Sequence, residues 1–180
     1  SRFMLVLYDL AISSYGCKTR ILLRHKGLEW TSLAPPDGYG SPAYCKILPS
    51  GTIPALVHDG FTLGESDAIA EYLNELAPKP AMLPEPIKER AMARALSRFH
   101  DTRIEPLLRA YFGQVAPANR NADFIAENAA LLQRRRNTLV GGVVGASRHG
   151  GPLTCAGAHE ASLIGRACRR GGTAVVEDRP

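Results

Sequence analysis

Three short stretches of the 180-residue chain carry groups that could hold and activate a small polar molecule. Ile53-Pro54 stands directly before the apolar run Ala55-Leu56-Val57-His58. An X-Pro bond at such a place can be cis, in a tight turn. The plainer alternative is a trans-proline at a strand edge. Glu65-Ser66 opens a helical stretch. A helix N-terminus presents unpaired N–H groups and a partial positive charge, so it can hold a carboxylate, with the Ser66 hydroxyl as a further donor and Glu65 as acceptor for an ammonium. A plain helix cap accounts for the same residues. Ser13-Ser14 lies between an apolar segment and a second helical stretch. Either serine can serve as a plain N-cap of that helix, its hydroxyl at the positive end of the helix dipole.

The elements that position these groups follow from pattern. Phe3 to Tyr8 is short, apolar and β-prone, as expected of a central strand buried on both faces. Ser13 and Ser14 are N-cap residues for a helix that carries Ile21, Leu22 and His25 and stops at Gly27. Glu29 to Leu33 completes a βαβ unit. After a loop rich in Pro and Gly, a short helix is expected around Ala43 to Ile47. Strands at Ala55–His58 and Phe61–Leu63 flank Asp59-Gly60, a strong hairpin signal, and Ser66 to Leu76 carries a helical apolar stripe. Four prolines between Ala77 and Pro86 read as a linker, and Ile87–Gly113 and Asp123–Leu139 as two long helices.

Leu48-Pro49-Ser50-Gly51-Thr52-Ile53-Pro54-Ala55-Leu56 and Glu65-Ser66-Asp67-Ala68-Ile69-Ala70-Glu71-Tyr72-Leu73 together resemble the NPxGxVPAL and (E/Q)SxAIxEYL motifs of glutathione transferases. Leu48 stands where the family has Asn, a departure expected to affect a loop hydrogen bond rather than sulfur chemistry. Ser13 to Ile21 is similar to the SSxxxxxRI pattern of the zeta class, and Lys18-Thr19-Arg20 to bacterial tetrachlorohydroquinone reductive dehalogenases.

The resemblance implies a thioredoxin-like α/β domain (βαβαββα, mixed sheet) over residues 1–77, a linker at 78–86, and an all-α domain beginning at 87–139. It implies glutathione as co-substrate and a small electrophile as partner. Ser13 then stabilises the thiolate, with Ser14 the competing position; Ile53 and Pro54 align the cysteinyl backbone; Glu65 and Ser66 hold the γ-glutamyl end. Tyr15 occupies the place of a family cysteine and is a candidate wall of the substrate pocket. A homodimer and a role in detoxification are also implied. The alternative is a non-catalytic glutathione-binding or interaction protein.

Composition bears on what remains. The four cysteines lack CxxC or Cys/His spacing, so no metal site is expected, and Cys17 reads as a buried thiol on the helix. His25, His58 and His100 have no partner in the sequence for catalysis or metal binding. The net charge of +5 comes from dispersed arginines, including Arg134-Arg135-Arg136, which suit a solvated face and no nucleic-acid partner. The chain holds no long apolar run and no signal-peptide pattern, giving the expectation of a cytoplasmic protein without a membrane partner.

Residues 140–180 are Gly- and Arg-rich and lack Phe, Tyr and Trp, an atypical tail that is either disordered or out of frame, leaving the helical domain incomplete. Codons compatible with Leu153-Thr154-Cys155-Ala156, taken from the third base, permit Tyr-Leu-Cys-Gly. The same shift at Glu160-Ala161-Ser162-Leu163-Ile164 permits Ser-Leu-Ala-Asp, the capping box a glutathione transferase carries there.

Overall fold

A computed structural model describes residues 4–147. The tail beyond Ser147, with the shifted-frame segments, lies outside the described residues. The chain divides into two compact units, meeting between Met82 and Leu83.

In the first unit β1 (Leu5–Tyr8), α1 (Ser14–His25), β2 (Trp30–Leu33), α2 (Pro42–Cys45), β3 (Ala55–His58), β4 (Phe61–Leu63) and α3 (Ser66–Leu76) follow in order. The sheet runs β2-β1-β3-β4, with β1 parallel to β2 and antiparallel to β3, and β3 antiparallel to β4. This is the mixed thioredoxin-like sheet expected from the motif order. β1 is central, but its burial alternates: Leu5 and Leu7 are buried, while Val6 and Tyr8 are half-buried. The expectation of full burial on both faces is corrected accordingly. Leu5, Leu7 and Leu56 pack with Leu22 and Leu23 of α1 and with Ile69 and Leu73 of α3, all buried. Each such side chain contributes about 1.5–3 kcal/mol.

The ends of the elements have local causes. Ser13 is the N-cap of α1, and its Oγ accepts from the Gly16 N–H at 3.1 Å. Gly27, at φ +63°, follows the end of that helix. Asp59 and Gly60, at φ +49° and +86°, make the β3–β4 turn.

Lys26, the C-cap residue of α1, is buried. Its ammonium donates to Asn74 Oδ1 at 3.0 Å, the Ala77 carbonyl at 2.7 Å and the Pro80 carbonyl at 3.0 Å. Asn74 Oδ1 also accepts from the Met82 N–H at 3.0 Å. A buried ammonium is tolerated when its three donors are matched. Burial holds its pKa below the ordinary lysine value. The segment after α3 is thereby tied back to the first unit.

In the second unit the stretch expected as one helix over 87–113 is interrupted. α4 (Ile87–Phe99) passes into a π-turn at His100–Ile104, then α5 (Glu105–Ala110) and a 3₁₀ turn at Tyr111–Gln114. Pro106 has no N–H to return to the Thr102 carbonyl, and the ladder shifts register there. α6 runs Ala122–Ser147, beyond the expected end at Leu139. Asn121 Oδ1 caps its start, accepting from the Phe124 N–H at 3.0 Å. Leu96, Ile104 and Leu139 are the buried centre, against which Phe99, Leu108 and Leu132 pack. Among the described residues no helix is long and apolar enough to cross a membrane.

Candidate active site

Sheet register gathers the three candidate pairs. Tyr8 at the end of β1 faces Ala55 at the start of β3, so the loop leading to α1 emerges beside Ile53-Pro54. Leu56 faces Leu63, so the chain leaving β4 enters Gly64-Glu65-Ser66 at the same end of the sheet. Lys18 of α1 is ion-paired with Asp67 of α3, tying the two helix starts together.

The loop 9–13 is held from α1. Asp9 is buried, its N–H donates to the Leu33 carbonyl at 3.0 Å, and its carboxylate is ion-paired with Arg20. Arg20 also donates to the Leu10 carbonyl at 3.3 Å and the Ala11 carbonyl at 3.2 Å. The Asp9 carboxylate fills the space where a β-carbon on Gly16 would fall. Ser13 therefore sits on a stiff loop at the positive end of a 12-residue helix. Ser14 and Tyr15 are the first two residues of that helix, both half-buried. Cys17 is exposed, not buried, because Gly16, Thr19, Leu22 and Leu23 form the inward face of α1.

The peptide Ile53-Pro54 is cis, Pro54 is buried and Ile53 half-buried. The loop before it is anchored by Tyr44, whose hydroxyl donates to the Thr52 carbonyl at 2.9 Å. Burial, with Tyr8 and Cys45 nearby, pushes the Tyr44 phenol up to about 12. The folded state therefore keeps its proton where an unfolded tyrosine, near pKa ~10, releases it. Stability from this source is complete below about pH 10 and is lost as pH rises from there toward 12. Urea unfolding at about pH 9 and about pH 11 is expected to show a larger loss in the native chain than in Tyr44→Phe.

Glu65 precedes α3 at φ +64° and ψ 109°, an unusual conformation for a residue with a side chain, and is exposed. Ser66, the first residue of α3, is buried.

Two histidines have partners that the sequence did not reveal. His58 Nδ1 lies 2.6 Å from the Tyr72 hydroxyl and Nε2 lies 3.3 Å from Asp59 Oδ2. His100 Nδ1 lies 3.0 Å from Asp101 Oδ1. His58 closes the far end of β3, away from Pro54, and His100 belongs to the second unit. Among the described residues no cluster of His, Cys, Asp and Glu could hold a metal ion.

Residues 7–81 match the family model for the glutathione S-transferase N-terminal domain. Rat maleylacetoacetate isomerase is 36% identical over 107 residues, 57% of this chain and 50% of that protein. Glutathione S-transferase Z1 of Arabidopsis thaliana is 38% identical over 92 residues, 49% of this chain and 41% of that protein. The chain thus spans about half the length of the relatives it matches. Among solved structures, the theta class glutathione S-transferase of Xanthomonas axonopodis pv. citri, with glutathione bound, superposes with a TM-score of 0.74 at 22% identity. That comparison covers 99% of this chain and 86% of the other. Residues 7–81 thus match the glutathione S-transferase N-terminal domain in sequence, and the chain shares the fold of solved glutathione transferases.

Proposed function

We propose that the chain is a glutathione-dependent transferase that conjugates or isomerises a small electrophile through a glutathione thiolate stabilised by Ser13. The observation that carries this reading is the geometry of Ser13. Its Oγ accepts from the Gly16 N–H at 3.1 Å, which leaves the hydroxyl hydrogen to be donated to a sulfur at the helix N-terminus. Such a donor in the field of α1 lowers a thiol pKa and keeps the nucleophile ionised near neutral pH. The backbone of Ile53 at the start of β3 pairs with the cysteinyl unit. The N-terminus of α3 with Ser66 takes the γ-glutamyl carboxylate, and Glu65 its ammonium. Tyr15, which follows Ser14 in the first turn of α1, forms a wall for the electrophile. The maleylacetoacetate isomerase relatives favour cis-trans isomerisation of an unsaturated diketo acid as one reaction of this kind. A cytoplasmic homodimer active in detoxification goes with this reading.

Conjugation of a general electrophile is expected to fall about a hundredfold or more in Ser13→Ala, by analogy with the loss of one donor to a developing anion, and to survive in Ser14→Ala. The ultraviolet absorbance of the bound thiolate should disappear with the first variant only. Equal turnover in Ser13→Ala and the native chain would overturn the assignment. Retention on glutathione-agarose without any turnover would favour the non-catalytic binding protein.

A further inference from the structure

The Leu48 side chain lies between the loop before β3 and the turn that leads into α3. The main chain is fixed on both sides: the Leu48 N–H donates to the Tyr44 carbonyl at 3.0 Å, and the Leu48 carbonyl accepts from the Gly51 N–H at 2.8 Å. The side chain covers Gly64, so that a β-carbon there would lie 3.1 Å from Cδ2 and 3.2 Å from Cδ1. Gly64 directly precedes Glu65, at φ +64°. On its helical side Glu65 is held, because its carbonyl accepts from the Ile69 N–H at 2.9 Å. On the other side lies the residue type with the greatest backbone freedom. Leu48 is the neighbour that restricts it. Glu65 makes no side-chain capping bond, so the direction of its carboxylate depends on this backbone.

We propose that Leu48 is a positioning residue for Glu65. Packed on Gly64, its isobutyl group holds the turn between β4 and α3 so that the Glu65 carboxylate meets the ammonium of a γ-glutamyl ligand. The inference rests on the glutathione reading above. Where the sequence suggested only that Leu48 affects a loop hydrogen bond, its side chain makes an apolar contact between the two motifs.

The test compares binding of glutathione with binding of glutaryl-Cys-Gly, which is glutathione without its amino group. In Leu48→Ala glutathione affinity is expected to fall about tenfold, equivalent to about 1.4 kcal/mol, while glutaryl-Cys-Gly binds as it does to the native chain. Leu48→Met, which conserves volume, should restore glutathione binding. Gly64→Ala places a methyl against Leu48 and should weaken glutathione. The double variant Leu48→Ala/Gly64→Ala should recover most of the loss, since the methyl enters the space the leucine leaves. Equal losses for both ligands in Leu48→Ala, or unchanged glutathione affinity there, would overturn the proposal even if Gly64→Ala fails to fold. Failure of the native chain to bind glutathione is a separate result, which removes the underlying reading.

Discussion

Arg20→Met is expected to cost the first unit about 3–5 kcal/mol, because it leaves a buried carboxylate without its cation. The Asp9 side chain is only 3% exposed and packs against the Gly16 backbone. Arg20 also supplies the donors to the Leu10 and Ala11 carbonyls, so the loop carrying Ser13 loses three attachments at once. Methionine keeps much of the aliphatic length, which isolates the charge. A loss of that size is a large share of the ~5–15 kcal/mol that holds a typical domain together, and a fall in melting temperature of ten degrees or more, roughly, follows for a unit of this size. Asp9→Asn added to Arg20→Met should return a good part of the stability, because a neutral amide tolerates burial better than a carboxylate. A single variant within about 0.5 kcal/mol of the native chain in urea unfolding would show that the pair carries no such burden.

Gly51→Ala should come close to the same effect by a different route. Gly51 has φ +65°, and an added β-carbon would lie 2.9 Å from Gly40 Cα and 3.0 Å from Cys45 Sγ. The left-handed conformation costs a side chain about 1–2 kcal/mol. Backbone cannot yield as a flexible side chain can, and overpacking adds about 1–3 kcal/mol. The Gly40 N–H donates to the Gly51 carbonyl at 2.8 Å, so the displaced strand of loop also strains a hydrogen bond. Gly60 provides the comparison, with φ +86° but open space where its β-carbon would be. Gly60→Ala should therefore show the conformational cost without the collision. Equal unfolding midpoints for the two variants would refute the argument from space.

The contrast between these sites and the motifs shows where sequence reading stopped. Ser13, Gly27 and the Asp59-Gly60 turn were legible because caps and tight turns are local: the residue that stops or bends the chain is in the element it ends. That the three candidate pairs share one end of the sheet was legible for a related reason, since strand register carries Ser13, Ile53 and Glu65 there once the hairpin and the βαβ unit are placed. Contacts between side chains distant in sequence were not. Nothing near Lys26 announces Asn74, Ala77 or Pro80, and nothing near His58 announces Tyr72. Leu48 was visible as a departure from the motif, but its contact with Gly64 depends on how two loops pack. The interruption of the long helix had a signal that composition obscured, namely Pro106 among good helix formers.

The lysine tie at the end of α1 also bears on how such a chain can be recombined. Two of the three acceptors of Lys26 are main-chain carbonyls, which any sequence supplies if it follows the same path. Only Asn74 is required by its side chain, and it lies within α3. A genetic crossover after codon 82 leaves every partner of the ammonium on one parent. A crossover shortly after codon 76 keeps Asn74 but makes the other two acceptors depend on the route taken by foreign residues. The seam that leaves the Lys26 tie intact thus lies after residue 82, several residues beyond the last helix of the first unit.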